Sequence, residues 1–385
     1  MSRRANHRVW QHRPIGRGQE RATAGLCMAA LIALLPACGS GGDGGGKGTA
    51  NQPAASIASP TATGGAASGE SEEERAADRA ATTLRNRGGS TVEPTATIPI
   101  GEHVAGGLVT NDAVWAVVTA DEMLYRIDPD TNSVVQELPV PGIEFRFAIG
   151  HDAAWVPDFE RSIVRRVELD TGAVLAEIPT GLNPEGISVT DGAVWVANHR
   201  AGTVTRIDPT TNEPVATIAV GPAGERGPQA IVASDDRVWV GVPNLGQVVV
   251  IDATTNAVVA NIDSTATCGE MQLLDDSVWI TNCFETDDVA VIDVHGTESR
   301  GLHAGGPAGT PLQIDGDVWL PTISLDQPLG HLVRVDPAAV EILDTVRTDP
   351  PAYIMGTGFG SLWKFSWDTG AVVRLPIDAF THQAG

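Results

Sequence analysis

Gly186-Ile187-Ser188-Val189-Thr190-Asp191-Gly192-Ala193-Val194-Trp195-Val196-Ala197-Asn198 holds two short apolar runs separated by a turn. Val194-Trp195-Val196 has no polar face, as expected of a strand covered on both sides by neighbouring sheets. Asp191-Gly192 reads as a tight hairpin turn that tolerates positive φ. Downstream come Thr203-Val204-Thr205-Arg206-Ile207-Asp208 and then Pro214-Val215-Ala216-Thr217-Ile218-Ala219-Val220-Gly221. Asp208-Pro209-Thr210-Thr211-Asn212 joins these two runs as a second hairpin, with Pro presetting φ and Asn accepting the left-handed conformation. The unit is therefore four short antiparallel strands.

That unit recurs. Trp115, Trp155, Trp195, Trp239, Trp279, Trp319 and Trp363 are spaced 40, 40, 44, 40, 40 and 44 residues apart, a period that signals propeller blades. The expected fold is all-β, a seven-bladed β-propeller of four-stranded blades, in which a ring of sheets buries every Trp and leaves only short edges. The last copy lacks its outer strand. Thr91-Val92-Glu93-Pro94-Thr95-Ala96-Thr97-Ile98-Pro99-Ile100-Gly101 matches Pro214 to Gly221 and precedes the first copy, so the N-terminal strand is expected to complete the last blade and close the ring.

Trp195-Val196-Ala197-Asn198 and Val248-Val249-Val250-Ile251-Asp252 resemble the repeat of the YVTN family of β-propellers, over about residues 91–378. The resemblance implies a fold; such a scaffold hosts many functions. The repeat is also similar in part to that of the virginiamycin B lyase family, which implies a seven-bladed ring using a His base and a Mg²⁺ held by acidic residues. That family's Asp-Gly-x-Leu-Trp-Phe-Thr-Glu is replaced here by Asp191-Gly192-Ala193-Val194-Trp195-Val196-Ala197-Asn198, so its catalytic residues do not transfer one by one.

The start of the chain supplies an address. Arg3, Arg4, Arg8, Arg13, Arg17 and Arg21 precede a mostly apolar run from Ala24 to Ala37, too short for a bilayer span, which takes about 20 residues. Leu35-Pro36-Ala37-Cys38 resembles a bacterial lipobox. This implies a lipoprotein signal peptide over 1–37, lipidation of Cys38, and an extracytoplasmic protein held at the cell envelope by its N-terminal lipid. Residues 38–90 read as a flexible Gly/Ser/Ala-rich linker, with a root-mean-square reach of about 40 Å, before a propeller over 91–385. The chain of 385 residues has a formal net charge of −23, which argues against nucleic acid as a partner. Lys47 and Lys364 are the only lysines.

Cys268 and Cys283 are the other notable cysteines. With Asp275-Asp276 as the hairpin turn, the two stand opposite each other, within disulfide reach in an exported protein. Asp-rich turns such as Asp128-Pro129-Asp130-Thr131-Asn132 lack the Gly and distal Glu of an EF-hand and read as plain turns.

The loops leading into each inner strand and out of each Trp strand emerge on one face, around the channel. They carry Arg146, Glu160, Arg161, Glu185, His199, Arg200, Glu270, Glu285 and His331, the candidate channel-mouth residues, because polar loops on a rigid scaffold tend to carry function. The reading is a monomeric binding or scaffold module for a protein, peptide or glycan partner, since no G-x-S-x-G, H-E-x-x-H or Cys/His zinc spacing is found. The alternative is a metal-assisted lyase or hydrolase. No resident cofactor is expected under the first reading; the second would use Mg²⁺ or Ca²⁺, hard cations that suit carboxylate ligands.

Overall fold

The computed structural model describes residues 91–283, 286–323 and 329–381; Cys38 and Glu285 lie outside them. These residues form seven four-stranded antiparallel sheets and almost no helix. The fold is a seven-bladed β-propeller. Blade 1 spans Gly106 to Pro139, blade 2 Ala148 to Pro179, blade 3 Pro184 to Ala219 and blade 4 Ile231 to Asp263. Blade 5 spans Met271 to His303 and blade 6 Leu312 to Arg347; blade 7 takes Ile354 to Pro376 and, as its outer strand, Ala96–Pro99. The closure pairs Ala96 with Arg374 and Ile98 with Val372, as the truncated last repeat required.

The Trp-bearing second strands Val114–Val118, Ala153–Asp158 and Val194–Asn198 are buried along their whole length. Outer strands instead alternate, as in Ser133–Pro139, and Pro99, Pro139 and Pro179 end three of them, where a missing N–H protects an exposed edge. Each repeat Trp is at most 3% exposed and packs against the following blade. Trp195 meets Val238 and Val240 of blade 4, and Trp363 meets Val114 and Ala116 of blade 1. One core cluster thus fills each junction.

The hairpins divide into two kinds. Asp315-Gly316 is the expected two-residue turn, with φ of 53° and 85°, between paired Ile314 and Asp317. Asp191-Gly192 is not. Val189 pairs with Val194, leaving a four-residue loop in which Thr190 N–H donates to Ala193 O at 2.9 Å. Thr110 and Ser234 begin equivalent loops, each accepting a side-chain bond from the N–H three residues on. That local bond offers the backbone an alternative to a primed turn. The Asp-Pro-x-x-Asn turns match expectation, with Asn132 and Asn212 at φ of 52° and 60°, and Asn256 takes the same conformation at 57° in Asp252-Ala253-Thr254-Thr255-Asn256.

An arginine clasp joins blades on the hairpin face. Arg206, paired across the sheet with Trp195, stacks its guanidinium 5.1 Å from that ring. It then donates to Ala253 O at 2.9 Å and Asn256 Oδ1 at 3.0 Å in the next blade. Arg166 does the same from Trp155 to Pro209 O and Asn212 Oδ1. Arg374 reaches from Trp363 across the closure to Pro129 O at 2.6 Å and Asn132 Oδ1 at 2.8 Å. Each clasp combines a cation–π contact with charge-assisted hydrogen bonds. Trp239 and Trp279 face Val250 and Val291 instead.

Candidate binding site at the loop-bearing end

Inner strands do not run straight to this end. In blade 4, Gln229 N–H donates to Gly241 O at 3.1 Å while Gly241 N–H donates to Ala230 O at 2.9 Å. Two residues thus face one, a bulge that bends the strand and re-aims a side chain. The blade 5 bulge sets Gly269 and Glu270 against Thr281, and in blade 3 the register slips between Pro184 and Ile187. Gln229 and Glu185 therefore meet, with Gln229 Nε2 3.3 Å from Glu185 Oε2. His199 Nδ1 stands 3.6 Å from the same oxygen, and both side chains are mostly buried. Close backbone contact holds this corner: a Cβ on Gly227 would lie 1.8 Å from His199 O.

Blade 2 contributes the loop at 140–147. A buried ion pair, Arg165 to Asp158 at 2.7 Å, anchors it, because Arg165 Nη1 also donates to Pro141 O. From this loop Glu144 approaches the blade 3 carboxylate. Its carboxyl is pushed up to about 7 by burial first, then by the negative charges of Glu185, Asp158 and Glu160. Arg146, two residues on, crosses the ring to blade 5, donating to Gly269 O at 3.0 Å and standing 3.4 Å from Glu270 Oε1. Its guanidinium lies 5.4 Å from the Phe145 ring. Burial, reinforced by the Glu270 charge, raises the phenol of Tyr353, whose hydroxyl donates to Asn282 O at 3.2 Å.

The Cys268–Cys283 bridge fixes the neighbouring loop, with Cα atoms 5.3 Å apart. The pairs Met271–Ile280 and Leu274–Ser277 place the turn at Asp275-Asp276, as read from the sequence. The ladder is not unbroken as far as Cys268, since the Glu270 bulge intervenes, and Cys283 N–H donates to Cys268 Sγ at 2.8 Å. By loop entropy a closed loop of this length contributes about 3 kcal/mol. Cys283 Sγ lies 4.0 Å from Gln229 Oε1, so the bridge borders the Glu185 corner.

Of the sequence candidates, Glu185 and His199 come together, and Arg146 joins Glu270. Glu160 is exposed on the rim. Arg161 turns outward to Glu177 at 2.7 Å, and Arg200 pairs with Glu225 at 3.1 Å. His331 sits on a third strand, opposite Thr322 and Arg347, away from the inner strands; burial lowers its pKa, with Asp349 opposing. Glu144 and Tyr353 are not among the candidates named from the sequence. The missing signal was the inner-strand bulge.

The residues suggested for a cation do not form one ligand shell. Glu270 is taken by Arg146, and His331 is elsewhere. Among the described residues, Asp287, Asp288 and His303 alone bring three ligand atoms within 4.8 Å of one another, at the rim of blade 5. There Asp287 and Asp288 stand 3.1 and 3.2 Å from His303 Nδ1, a contact an ion pair explains. The clefts beside Arg206 (about 320 Å³) and Arg374 (about 430 Å³) open on the opposite, hairpin face, over guanidiniums that the clasps already satisfy.

No family model and no curated protein matches this sequence. Solved structures match in fold. A chain of the mitotic checkpoint complex aligns at a TM-score of 0.61 and 10% identity, over 76% of this chain and 93% of that one. BamB from Moraxella catarrhalis aligns at 0.55 and 14% identity, over 76% and 100%. The hydrazine synthase of Kuenenia stuttgartiensis aligns at 0.57 and 14%, over 76% and 98%. These likenesses place the chain among β-propellers. They include an enzyme and a member of a multiprotein complex, so the fold alone does not choose a function.

Proposed function

We propose that this protein is a lipid-anchored, extracytoplasmic binding module that docks a protein partner on its loop-bearing face. The observation that carries the reading is the contrast of Glu144 with its surroundings. It is a half-buried carboxyl with three like charges acting on it, on a loop held by a buried ion pair. Perturbed groups on rigid supports mark functional surface. A chain of the mitotic checkpoint complex among the fold neighbours is in keeping with a scaffold, and Leu35-Pro36-Ala37-Cys38 supports the anchor.

Site-specific photocrosslinking in cells tests the face. Probes at Glu160 and Leu182 should capture one partner band, and probes at Thr171 and Thr254, in hairpin turns of the opposite face, should not. The reverse pattern would sink the reading. For the anchor, palmitate labelling and membrane recovery should both be lost in Cys38→Ser.

A further inference from the structure

We propose that the Glu144, Glu185 and His199 side of this face receives a cationic side chain, an arginine or lysine on an extended segment of the protein partner. The inference rests on the proposed docking face and names what enters it.

Charge pairing is the first ground. Nearby arginines are already engaged: Arg165 with Asp158, Arg161 with Glu177, Arg200 with Glu225 and Arg146 with Glu270. The groups acting on Glu144 are Glu185, Asp158 and Glu160, all negative. His199 faces Glu185, and its Nδ1 is buried without a hydrogen bond. Holding like charges together in a partly desolvated corner costs free energy, which an arriving cation would offset.

The protein's own Arg146 is the second ground, because it shows how this end of the ring holds a guanidinium. Three blades away, at the blade 5 bulge, that group sits between a main-chain carbonyl, the Glu270 carboxylate and the Phe145 ring. Glu185 occupies the position in blade 3 that Gly269 occupies in blade 5, ten residues before the repeat Trp. Beside it the Phe159 ring stands 6.3 Å from His199. Among the contacts of the described residues, the blade 3 corner thus offers a carboxylate and an aromatic ring with no guanidinium stacked between them.

Spacing selects the kind of cation. The oxygens of Glu144 and Glu185 and the nitrogens of His199 do not fall within 4.8 Å of one another, as those of Asp287, Asp288 and His303 do. Gln229 also presents an amide N–H to Glu185. Carboxylate acceptors too widely spaced for one ion's inner shell suit a guanidinium or ammonium, whose several N–H groups reach separate acceptors, better than a bare divalent ion. Leu182, 56% exposed, offers apolar contact on the adjacent rim for the segment carrying the charge.

The test is selection from two displayed peptide libraries on the detergent-solubilised full-length protein. One library carries a fixed central arginine with four random residues on each side; the other carries citrulline there. Selected peptides are then measured by fluorescence anisotropy. The arginine library should enrich at least tenfold over the citrulline library. Its peptides should bind Glu144→Gln/Glu185→Gln at least tenfold more weakly, and Glu137→Gln on an outer strand as well as the parent. Binding should strengthen from pH 5.5 to 8, as Glu144 ionises, and weaken with added salt. Equal enrichment, no enrichment, or unchanged binding to a folded double variant overturns the proposal. If such peptides still lose binding in Leu182→Asp, the docking face stands and only the cation is wrong; if they are lost in Thr254→Arg instead, both fail.

Discussion

The two ends of this ring treat arginine differently. On the hairpin face Arg166, Arg206 and Arg374 repeat one arrangement, each stacked on its own Trp and bonded to a carbonyl and an Asn of the next blade. Among the described residues of the loop face no arginine arrangement repeats. Arg146 spans the ring, Arg165 is buried with Asp158, and Glu144 is pushed up by burial and by the charges of Glu185, Asp158 and Glu160. Repetition follows from a task every junction shares, holding one sheet against the next. Where that task ends, residues are free to differ.

The largest effect should come from breaking the shared task. Trp195→Ala removes a fully buried ring from the cluster joining blades 3 and 4, and should cost about 3–5 kcal/mol in urea unfolding. Val215→Ala, on an exposed outer position, should change stability by less than about 0.5 kcal/mol. Similar losses in both variants would mean that the Trp ring is not what the junctions depend on.

The same division explains what could be read in advance. Blade number, strand count and closure were legible because the Trp spacing and the missing outer strand are periodic features. The clasp had a periodic signal too. Arg126, Arg166, Arg206 and Arg374 each lie eleven residues after a repeat Trp, but directly opposed pairing had to be known before that offset meant contact. Glu185 and His199 were legible as loop residues near one axis. The neutralisation of Glu270 by Arg146 was not, since it depends on a side chain crossing the channel to a blade 123 residues away. His331 was misplaced because its strand begins late, after a segment with no counterpart in the repeat.

A second comparison sharpens the role of the clasp. Arg126 also stacks on its Trp, at 5.7 Å, but it pairs with Asp112 of its own blade. The next blade is reached instead by Gln136, which donates to Leu169 O and Asp170 O. Arg374→Ala should therefore lower stability by about 2 kcal/mol, the sum of a cation–π contact and charge-assisted bonds. Arg126→Ala should cost about half that. Equal losses would show that stacking matters and the bridge between blades does not.

The smallest effects depend on pH and oppose each other. Glu144 titrates higher in the fold than in the unfolded chain, so its contribution is present in acid and is lost as pH rises through about 7. Glu144→Gln should match the parent near pH 4 and gain on the order of 1–2 kcal/mol by pH 8, after allowance for solvent screening. Lys364 runs the other way. It is fully buried in the second strand of blade 7, where its Nζ donates to the carbonyls of Thr348 and Pro350. Burial lowers its pKa to about 7, against the opposing pull of Asp349. The unfolded chain then holds the extra proton between about pH 7 and 10.5, and stability from this group rises across that window. Lys364→Met should remove that rise while losing the two bonds as a constant offset. A Glu144→Gln gain that did not vary with pH, or a Lys364→Met curve that kept its slope, would show that these groups titrate in the fold as they do in water. Only the first result would weaken the docking corner, because Lys364 belongs to the blade packing and Glu144 to the face left unpaired.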